Sequence, residues 1–141
     1  MSVQTTTHLN FRGRAREALG FYRSVFGGEQ TVVTYGELAG ETDAARRDAV
    51  IWGQVVSPDG FRVMAYDVQP ETAWHPGENA FYVSLRGTAP GEIEAYWARL
   101  SEGAAVVVPL GPAVWSPLYG MLTDRFGITW VLDVAADHPG A

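Results

Sequence analysis

The sequence contains no cysteine, which excludes disulfide bonds, thiolate metal sites and a cysteine nucleophile. It also has no apolar run near the roughly 20 residues that a membrane span needs. The first residues show no charged start followed by an apolar stretch, the pattern of a secretion signal. We therefore expect no membrane partner, no secretion signal and a location in the cytoplasm.

Basic residues are few, with 10 Lys and Arg against 16 Asp and Glu and a net charge of −6. Because nucleic-acid binding usually needs a basic patch, we expect no nucleic-acid partner. A Gly-x-Ser-x-Gly nucleophile turn is also missing, as is the glycine-rich strand-to-helix turn used by nucleotide-type cofactors. The commonest signatures of hydrolases and of nucleotide-dependent enzymes are therefore absent.

Apolar side chains, by contrast, are plentiful, at 47% of the 141 residues. A chain of this length forms one domain or two small, closely associated halves. Such a domain buries roughly 68–70% of the surface of its extended chain, which is enough for a real core.

Two stretches, 52–66 and 119–133, share the layout of strand, tight turn and strand. Gly60 and Gly127 close the two turns and lie 67 residues apart (127 − 60 = 67). Earlier in each half the offset is 74: the matched pairs are Phe11 and Leu85, Tyr22 and Tyr96, Phe26 and Leu100, and Val32 and Val106. The sequence therefore predicts a duplicated unit whose second copy has a loop shorter by 7 residues (74 − 67 = 7).

Each half is predicted to contain one strand, one helix and three further strands. Apolar residues at helical spacing predict helices over 14–26 and 90–100. Strands are predicted over 8–11, 31–35, 49–67 (a pair), 79–86, 104–110 and 119–133 (a pair), leaving the loop 36–48, the linker 69–78, the loop 111–117 and the tail 135–141. We predict an α+β fold of two tandem βαβββ modules, about 1–68 and 79–134, within one domain and forming a cupped mixed sheet.

Strand alternation assigns the side chains to two faces of this sheet. The side chains predicted to pack under the helices are Leu9, Phe11, Val63, Ala65, Phe81, Val83, Leu85, Trp130 and Leu132. Those predicted to line the cup are His8, Asn10, Trp52, Gln54, Arg62, Met64, Tyr66, Tyr82, Ser84, Tyr119, Met121, Thr129, Val131 and Asp133. This mixture of aromatic, apolar and few polar groups is typical of a small-molecule pocket, although it also suits a second core or a dimer interface.

Trp115 stands in a proline-bounded loop that we place at the rim of the cup. A tryptophan there could stack over a flat ligand, or it could pack across a dimer interface. The predicted pocket residues are His8, Asn10, Trp52, Gln54, Met64, Tyr66, Tyr82, Trp115, Tyr119 and Met121.

Three segments, 9–11, 15–28 and 115–130, carry a family resemblance, and the last, with Asp124-Arg125-Phe126-Gly127, is the most specific. They resemble the vicinal oxygen chelate superfamily, which includes glyoxalases, extradiol dioxygenases and bleomycin-resistance proteins, and within it the PhnB-like branch. The resemblance covers almost the whole chain. It implies paired βαβββ modules and a homodimer.

Active enzymes of this superfamily bind a divalent metal through three strand residues, so the resemblance also implies three metal positions. They fall on His8, near Ala80 (beside Asn79 and Tyr82) and on Val131, so two of the three lack a donor. Divalent ions need several oxygen or imidazole ligands. We therefore expect no metal and no other cofactor, with His8 as a remnant; Asp133 would be an alternative ligand if the strand register shifts.

Three functional hypotheses remain open. The first is a metal-free protein that binds a small molecule in an aromatic cup. The second is an enzyme related to glyoxalases, lyases or dioxygenases, in which His8 either holds a metal with unusual ligands or acts as a base. The third is a structural dimer whose cup is filled by its own side chains.

Overall fold

A computed structural model describes residues 2–136, and the chain falls into two compact units that divide between His75 and Pro76. The first unit contains β1 (Thr7–Phe11), α1 (Ala15–Phe26), β2 (Glu29–Thr34), α2 (Tyr35–Ala39), β3 (Val50–Val56) and β4 (Arg62–Asp67). Its sheet has the order β1-β4-β3-β2, in which β1 runs parallel to β4 and the other pairs are antiparallel.

The second unit repeats this arrangement. It contains β5 (Val83–Gly87), α3 (Pro90–Leu100), β6 (Ala105–Ala113), β7 (Ser116–Thr123) and β8 (Thr129–Val134). The sheet order is β5-β8-β7-β6, again with one parallel pair, β5 and β8. The prediction of an α+β fold with two βαβββ modules is confirmed. None of the three helices in residues 2–136 is long and apolar enough to cross a membrane.

In each module, one helix covers one face of the sheet. The apolar stripe of α1 is buried, and beneath it lie Leu9, Phe11, Val63 and Ala65, as the alternation predicts. In the second module, Ile93 and Leu100 of α3 are buried together with Trp130 and Leu132. The opposite face of each sheet carries no helix of its own module, so its side chains are only partly covered.

Glycine at the same place in both sheets lets each helix approach closely. A Cβ on Gly53 of β3 would lie 2.4 Å from Leu19 Cδ1, and one on Gly120 of β7 would lie 2.8 Å from the Trp97 ring. These positions are 67 residues apart (120 − 53 = 67). Any larger residue would force these helix side chains to move.

The turns that close the two strand pairs are also duplicated. In the first, Ser57 N donates to Phe61 O at 2.9 Å, and Phe61 N donates to Ser57 Oγ at 3.2 Å. In the second, Asp124 N donates to Ile128 O at 2.8 Å, and Ile128 N donates to Asp124 Oδ1 at 3.1 Å. Both residues of the second turn lie 67 positions after those of the first, which confirms the predicted offset.

The predicted offset of 74 holds for the helices but not for the strands beside them. Phe11 of β1 pairs with Asp67 of β4, and Gly87 of β5 pairs with Val134 of β8. The offset between β1 and β5 is therefore 76 (87 − 11 = 76), whereas the offset between β4 and β8 is 67 (134 − 67 = 67). Leu85 therefore corresponds to Leu9 rather than to Phe11, and by the same reasoning Val106 corresponds to Gln30 rather than to Val32. The shift is even, so the assignment of faces survives it.

The strand predicted over 79–86 is shorter, because β5 begins only at Val83. Asn79 adopts a positive φ of 56°, which interrupts an extended chain before the strand can start. Phe81 consequently lies outside the sheet and is 60% exposed, so its predicted place under the helix is wrong. Val83 and Leu85 lie on the predicted face but are only partly buried.

The loop predicted over 111–117 is mostly strand. β6 continues to Ala113 and β7 begins at Ser116, so only Val114 and Trp115 connect them. Prolines at 109, 112 and 117 suggested a loop, but these strands tolerate them: β6 is an edge strand and Pro117 stands near the start of β7. The other predicted loop, 36–48, could also hold a helical turn, and α2 (Tyr35–Ala39) lies at its start, capped by Thr34 Oγ1, which accepts from Glu37 N at 3.1 Å. Of the predicted tail, only 135 and 136 are among the described residues.

Tyr35, at the start of α2, provides a test at alkaline pH. Its hydroxyl is buried and donates to Asp67 O at 2.8 Å, and burial, followed by the nearby acidic groups, raises the pKa of its phenol above 10.0. A raised pKa in the folded state means a stabilisation that is complete below pH 10 and is lost as the pH rises through the folded-state value. The sequence contains no lysine, so phenols dominate the titration there.

We expect Tyr35→Phe to lose about 1 kcal/mol of stability at pH 8, from the missing hydrogen bond. We also expect the difference from the wild type to shrink above pH 10. Thermal melts of both proteins between pH 8 and 11.5 measure this. Parallel stability curves over the whole range would contradict the assignment.

Candidate functional site

The open face of the first sheet brings together six of the predicted pocket residues. In the strand register His8 is opposite Met64, Asn10 is opposite Tyr66, and Gln54 is opposite Met64 from the other side. Trp52 lies on the same face of β3, two residues before Gln54. His8 and Asn10 are exposed, and the other four are partly buried.

His8 is held by two neighbours on this face. Its Nδ1 lies 2.9 Å from Asn10 Oδ1, and its ring meets the Tyr66 ring edge-on at 5.3 Å. An amide oxygen only accepts hydrogen bonds, so a neutral His8 makes this contact with the proton on Nδ1 and the lone pair on Nε2. In this tautomer His8 Nε2 accepts a hydrogen bond from a ligand.

Next to this polar pair lies an apolar patch. Trp52 Nε1 donates to Met64 Sδ at 3.3 Å, and the thioether is a weak acceptor that also packs well on aromatic rings. The only hydrogen-bond donor of the indole is therefore used within the protein. What Trp52 and Met64 offer to a ligand is mainly apolar surface.

The open face of the second sheet has its own aromatic pair. Trp115, at the tip of the β6–β7 hairpin, is exposed, and its ring lies edge-on to that of Tyr119 at 5.2 Å. Tyr119 and Met121 project from β7 on this face, beside Asp133 and Val131 of β8. An open, largely apolar groove of about 720 Å³ runs beside the pair, lined by Val108, Pro109, Gly111, Pro112, Ala113, Val114, Trp115 and Tyr119.

Tyr82 does not belong to a strand, since it precedes β5. It is exposed, and its hydroxyl donates to Asn79 Oδ1 at 2.8 Å. Its assignment to the pocket stays a prediction, as do those of the other nine residues.

Asp133 was predicted to line the cup, but the residue is only 4% exposed and its carboxylate is paired with Arg86. Arg86 Nη2 donates to Asp133 Oδ2 at 2.9 Å, and Nε donates to both carboxylate oxygens at 3.1 and 3.2 Å. These hydrogen bonds raise the pKa of the Arg86 guanidinium. Sequence reasoning missed Arg86, although it lies two residues after Ser84 and so shares its face.

The three positions that the resemblance assigns to a metal supply one donor, the imidazole of His8. Ala80 and Val131 have none, and Asp133 is already bound to Arg86. Throughout residues 2–136, no three His, Asp or Glu side chains come together in a way that could hold a metal ion. This donor set does not fit a tight divalent site.

A second, smaller cavity of about 140 Å³ lies in the first module, near the start of α1. Its walls include Arg12, Tyr35, Arg46 and Asp67. Arg12 donates to the carbonyls of Gln69 and Thr72, and Arg46 pairs with Glu71 at 3.1 Å. Both guanidiniums therefore hold the segment after β4 in place.

Comparison with known proteins places this fold in a family. The model of the glyoxalase/bleomycin resistance protein/dioxygenase superfamily matches residues 7–132, and the chain belongs to that superfamily. Within it the chain is PhnB-like.

Its relatives include a protein from Pseudomonas aeruginosa, PA1353, whose crystal structure shares 31% identity and a TM-score of 0.84 over 96% of this chain and 100% of the other. The PhnB protein from Bacillus cereus, described as a putative 3-demethylubiquinone-9 3-methyltransferase, shares 27% identity and a TM-score of 0.70 over 94% and 100%. Protein YjdN of Escherichia coli K12 is 19% identical over 94% of this chain and 95% of its own.

Proposed function

We propose that this PhnB-like protein binds a small organic molecule on its open sheet faces without using a metal. The observation that carries the proposal is the open face of the first sheet. It combines an apolar patch, Trp52 and Met64, with a polar pair, His8 and Asn10, whose geometry is fixed by contacts within the protein. Covering such a patch is favourable by about 25 cal/mol per Å² of apolar surface.

The polar groups would orient the ligand. His8 Nε2 accepts a hydrogen bond, and Gln54 on the neighbouring strand can both donate and accept. We do not extend the methyltransferase description to this chain, because its sequence lacks the glycine-rich strand-to-helix turn of nucleotide-type cofactor sites.

The test is a thermal-shift screen of aromatic and apolar compounds, followed by binding measurements with variants. A ligand that binds only the folded state must raise the melting temperature. We expect Trp52→Ala to weaken binding at least about tenfold, because it removes a large stacking surface. Phe81→Ala, which removes an exposed aromatic ring outside both sheets, is the matched control and should change nothing. No shift with any compound would favour the structural-dimer hypothesis.

His8 separates binding from catalysis. For a binder of apolar compounds, His8→Ala should reduce affinity only slightly, since one exposed hydrogen bond is lost. For an enzyme that uses His8 as a base, the same change should abolish turnover. Metal analysis of untagged protein completes the comparison: stoichiometric metal that disappears in His8→Ala would contradict the metal-free proposal.

We further propose that the chain forms a homodimer and that β6 contributes to its interface. Val106, Val107 and Val108 are all exposed on this edge strand. Consecutive exposed apolar residues on an edge favour association. Pro109 and Pro112 remove backbone donors from the same strand, which favours packing of side chains over an extended strand pairing.

We expect Val107→Arg to weaken dimerisation at least about tenfold, because the substitution buries a charge in an apolar contact. Light scattering after size-exclusion chromatography, over a range of protein concentrations, measures the change. Val3→Arg alters an exposed valine outside both sheets and is the control. A wild-type monomer, or a dimer unaffected by Val107→Arg, would contradict the proposal.

A further inference from the structure

We propose that Arg86 recognises the acidic group of the ligand, and that this ligand is a flat apolar carboxylate whose ring system lies against Trp115 and Tyr119. This inference rests on the proposed function, since it names the chemical class of a small molecule bound on one of the two open sheet faces, that of the second module. It is carried by an arrangement confined to the second module.

The strand register places the participants in one row. Tyr119 of β7 is opposite Asp133 of β8, and Asp133 is opposite Arg86 of β5. Trp115 extends the row, with its ring 5.2 Å from that of Tyr119. Adjacent strands lie about 4.8 Å apart, so Tyr119 and Arg86 are separated by about 10 Å, a distance that a two-ring aromatic acid can bridge.

Asp133 fixes the guanidinium while leaving part of it free for a ligand. The hydrogen bonds to Asp133 use Nε and Nη2, the side edge of the guanidinium. The end edge, formed by Nη1 and the second N–H of Nη2, is a separate fork that matches a carboxylate. The Arg86 side chain is 66% exposed although its partner is buried, so this second fork is accessible.

Such an arrangement suits recognition better than stability. The ion pair with the buried Asp133 removes the rotational freedom of a long, exposed side chain before a ligand arrives. A chain of net charge −6 gives an acid little nonspecific attraction, so the attraction has to come from a positioned guanidinium.

The rest of the row selects the apolar part of the ligand. Trp115 is exposed and Tyr119 is partly buried, and both rings line the apolar groove. Aromatic faces favour a flat ring system over a branched one. The combination therefore points to an aromatic carboxylate.

The test uses 2-naphthoate and its neutral analogue, methyl 2-naphthoate, with dissociation constants measured by calorimetry. In the wild type we expect the acid to bind at least about tenfold more tightly than the ester, as is typical of hydrogen bonds between charged groups. Arg86→Gln should remove this preference and leave ester binding unchanged. Arg86→Lys, which keeps the charge but loses the fork, should retain only part of it.

Three further variants keep the result interpretable. The double variant Arg86→Gln with Asp133→Asn preserves a hydrogen-bonded pair without a buried unpaired charge, and it should bind like Arg86→Gln alone. Arg16→Gln, an exposed arginine on α1, is the control and should bind like the wild type. Trp115→Ala should weaken acid and ester to the same extent.

Equal affinities for acid and ester in the wild type would overturn the inference while leaving the proposed function intact, provided that other compounds of the screen bind. An acid preference that survives Arg86→Gln would likewise overturn it. If neither these probes nor any compound of the screen binds, both the inference and the proposed function are wrong.

Discussion

Replacing Asp67 by alanine is expected to destabilise the first module by about 3 kcal/mol or more. Its buried carboxylate accepts three backbone hydrogen bonds, from Gly13 N at 2.8 Å, Val50 N at 2.9 Å and Ala15 N at 3.0 Å. One side chain at the end of β4 thus joins the start of α1 to the start of β3. Alanine would leave these donors without their acceptor, and each unpaired buried donor costs about 1–3 kcal/mol.

Urea unfolding followed by circular dichroism measures this loss. Asp67→Asn should fall between alanine and the wild type, because an amide retains one acceptor oxygen but brings an NH₂ group against a backbone donor. Asp48→Ala is the matched control, since Asp48 is largely exposed and 4.0 Å from its ion-pair partner Arg47. A destabilisation below about 1 kcal/mol for Asp67→Ala would show that water can replace the carboxylate.

The second large effect is expected at Asp124, which organises the turn between β7 and β8. Its Oδ1 accepts from Phe126 N and Ile128 N, and its Oδ2 accepts from the indole of the fully buried Trp130 at 2.8 Å. Asp124→Ala removes all three hydrogen bonds at a site that is itself buried. We expect a loss of about 3 kcal/mol.

The duplication supplies the matched control for this change. Ser57 occupies the same position in the first module, where its hydroxyl accepts from Phe61 N only. In the first module, Val63 takes the place of Trp130 (130 − 63 = 67), and its side chain has no hydrogen-bond donor. Ser57→Ala should therefore cost about 1 kcal/mol. Equal losses at the two positions would mean that the bonds from Phe126 N and Trp130 contribute nothing.

Much of the fold follows from the sequence because the two periodicities are strong. The apolar stripe of α1 and the alternation around Leu9, Val63 and Trp130 identify the buried faces correctly. The offset of 67 is recognisable because the same kind of glycine turn joins the two strands of each pair. These features depend on local geometry, which a single sequence displays directly.

One failure concerns an interaction between strands that are distant in sequence. The hydrogen bonds from Arg86 to Asp133 join residues that are 47 positions apart in the sequence, and no local sequence pattern predicts them. Alternation predicts that both side chains share a face, but not that one covers the other. Phe81 was misplaced for a different reason: apolar alternation extends through 81–85, while the positive φ of Asn79 delays the strand. The prolines around Val114 and Trp115 similarly suggested a loop where an edge strand continues.

The strand offset of 76 against the helix offset of 74 has a consequence for how this chain could tolerate insertions. Because side chains alternate, lengthening β5 by one residue would turn Arg86 toward α3 and would expose the β5 side chains that now face this helix. Lengthening it by two would only move each side chain one row along the same face. We therefore expect insertions and deletions in β1 and β5 to occur in pairs, with single-residue changes confined to β2 and β6. The pairing of β2 already contains one register irregularity and that of β6 contains three.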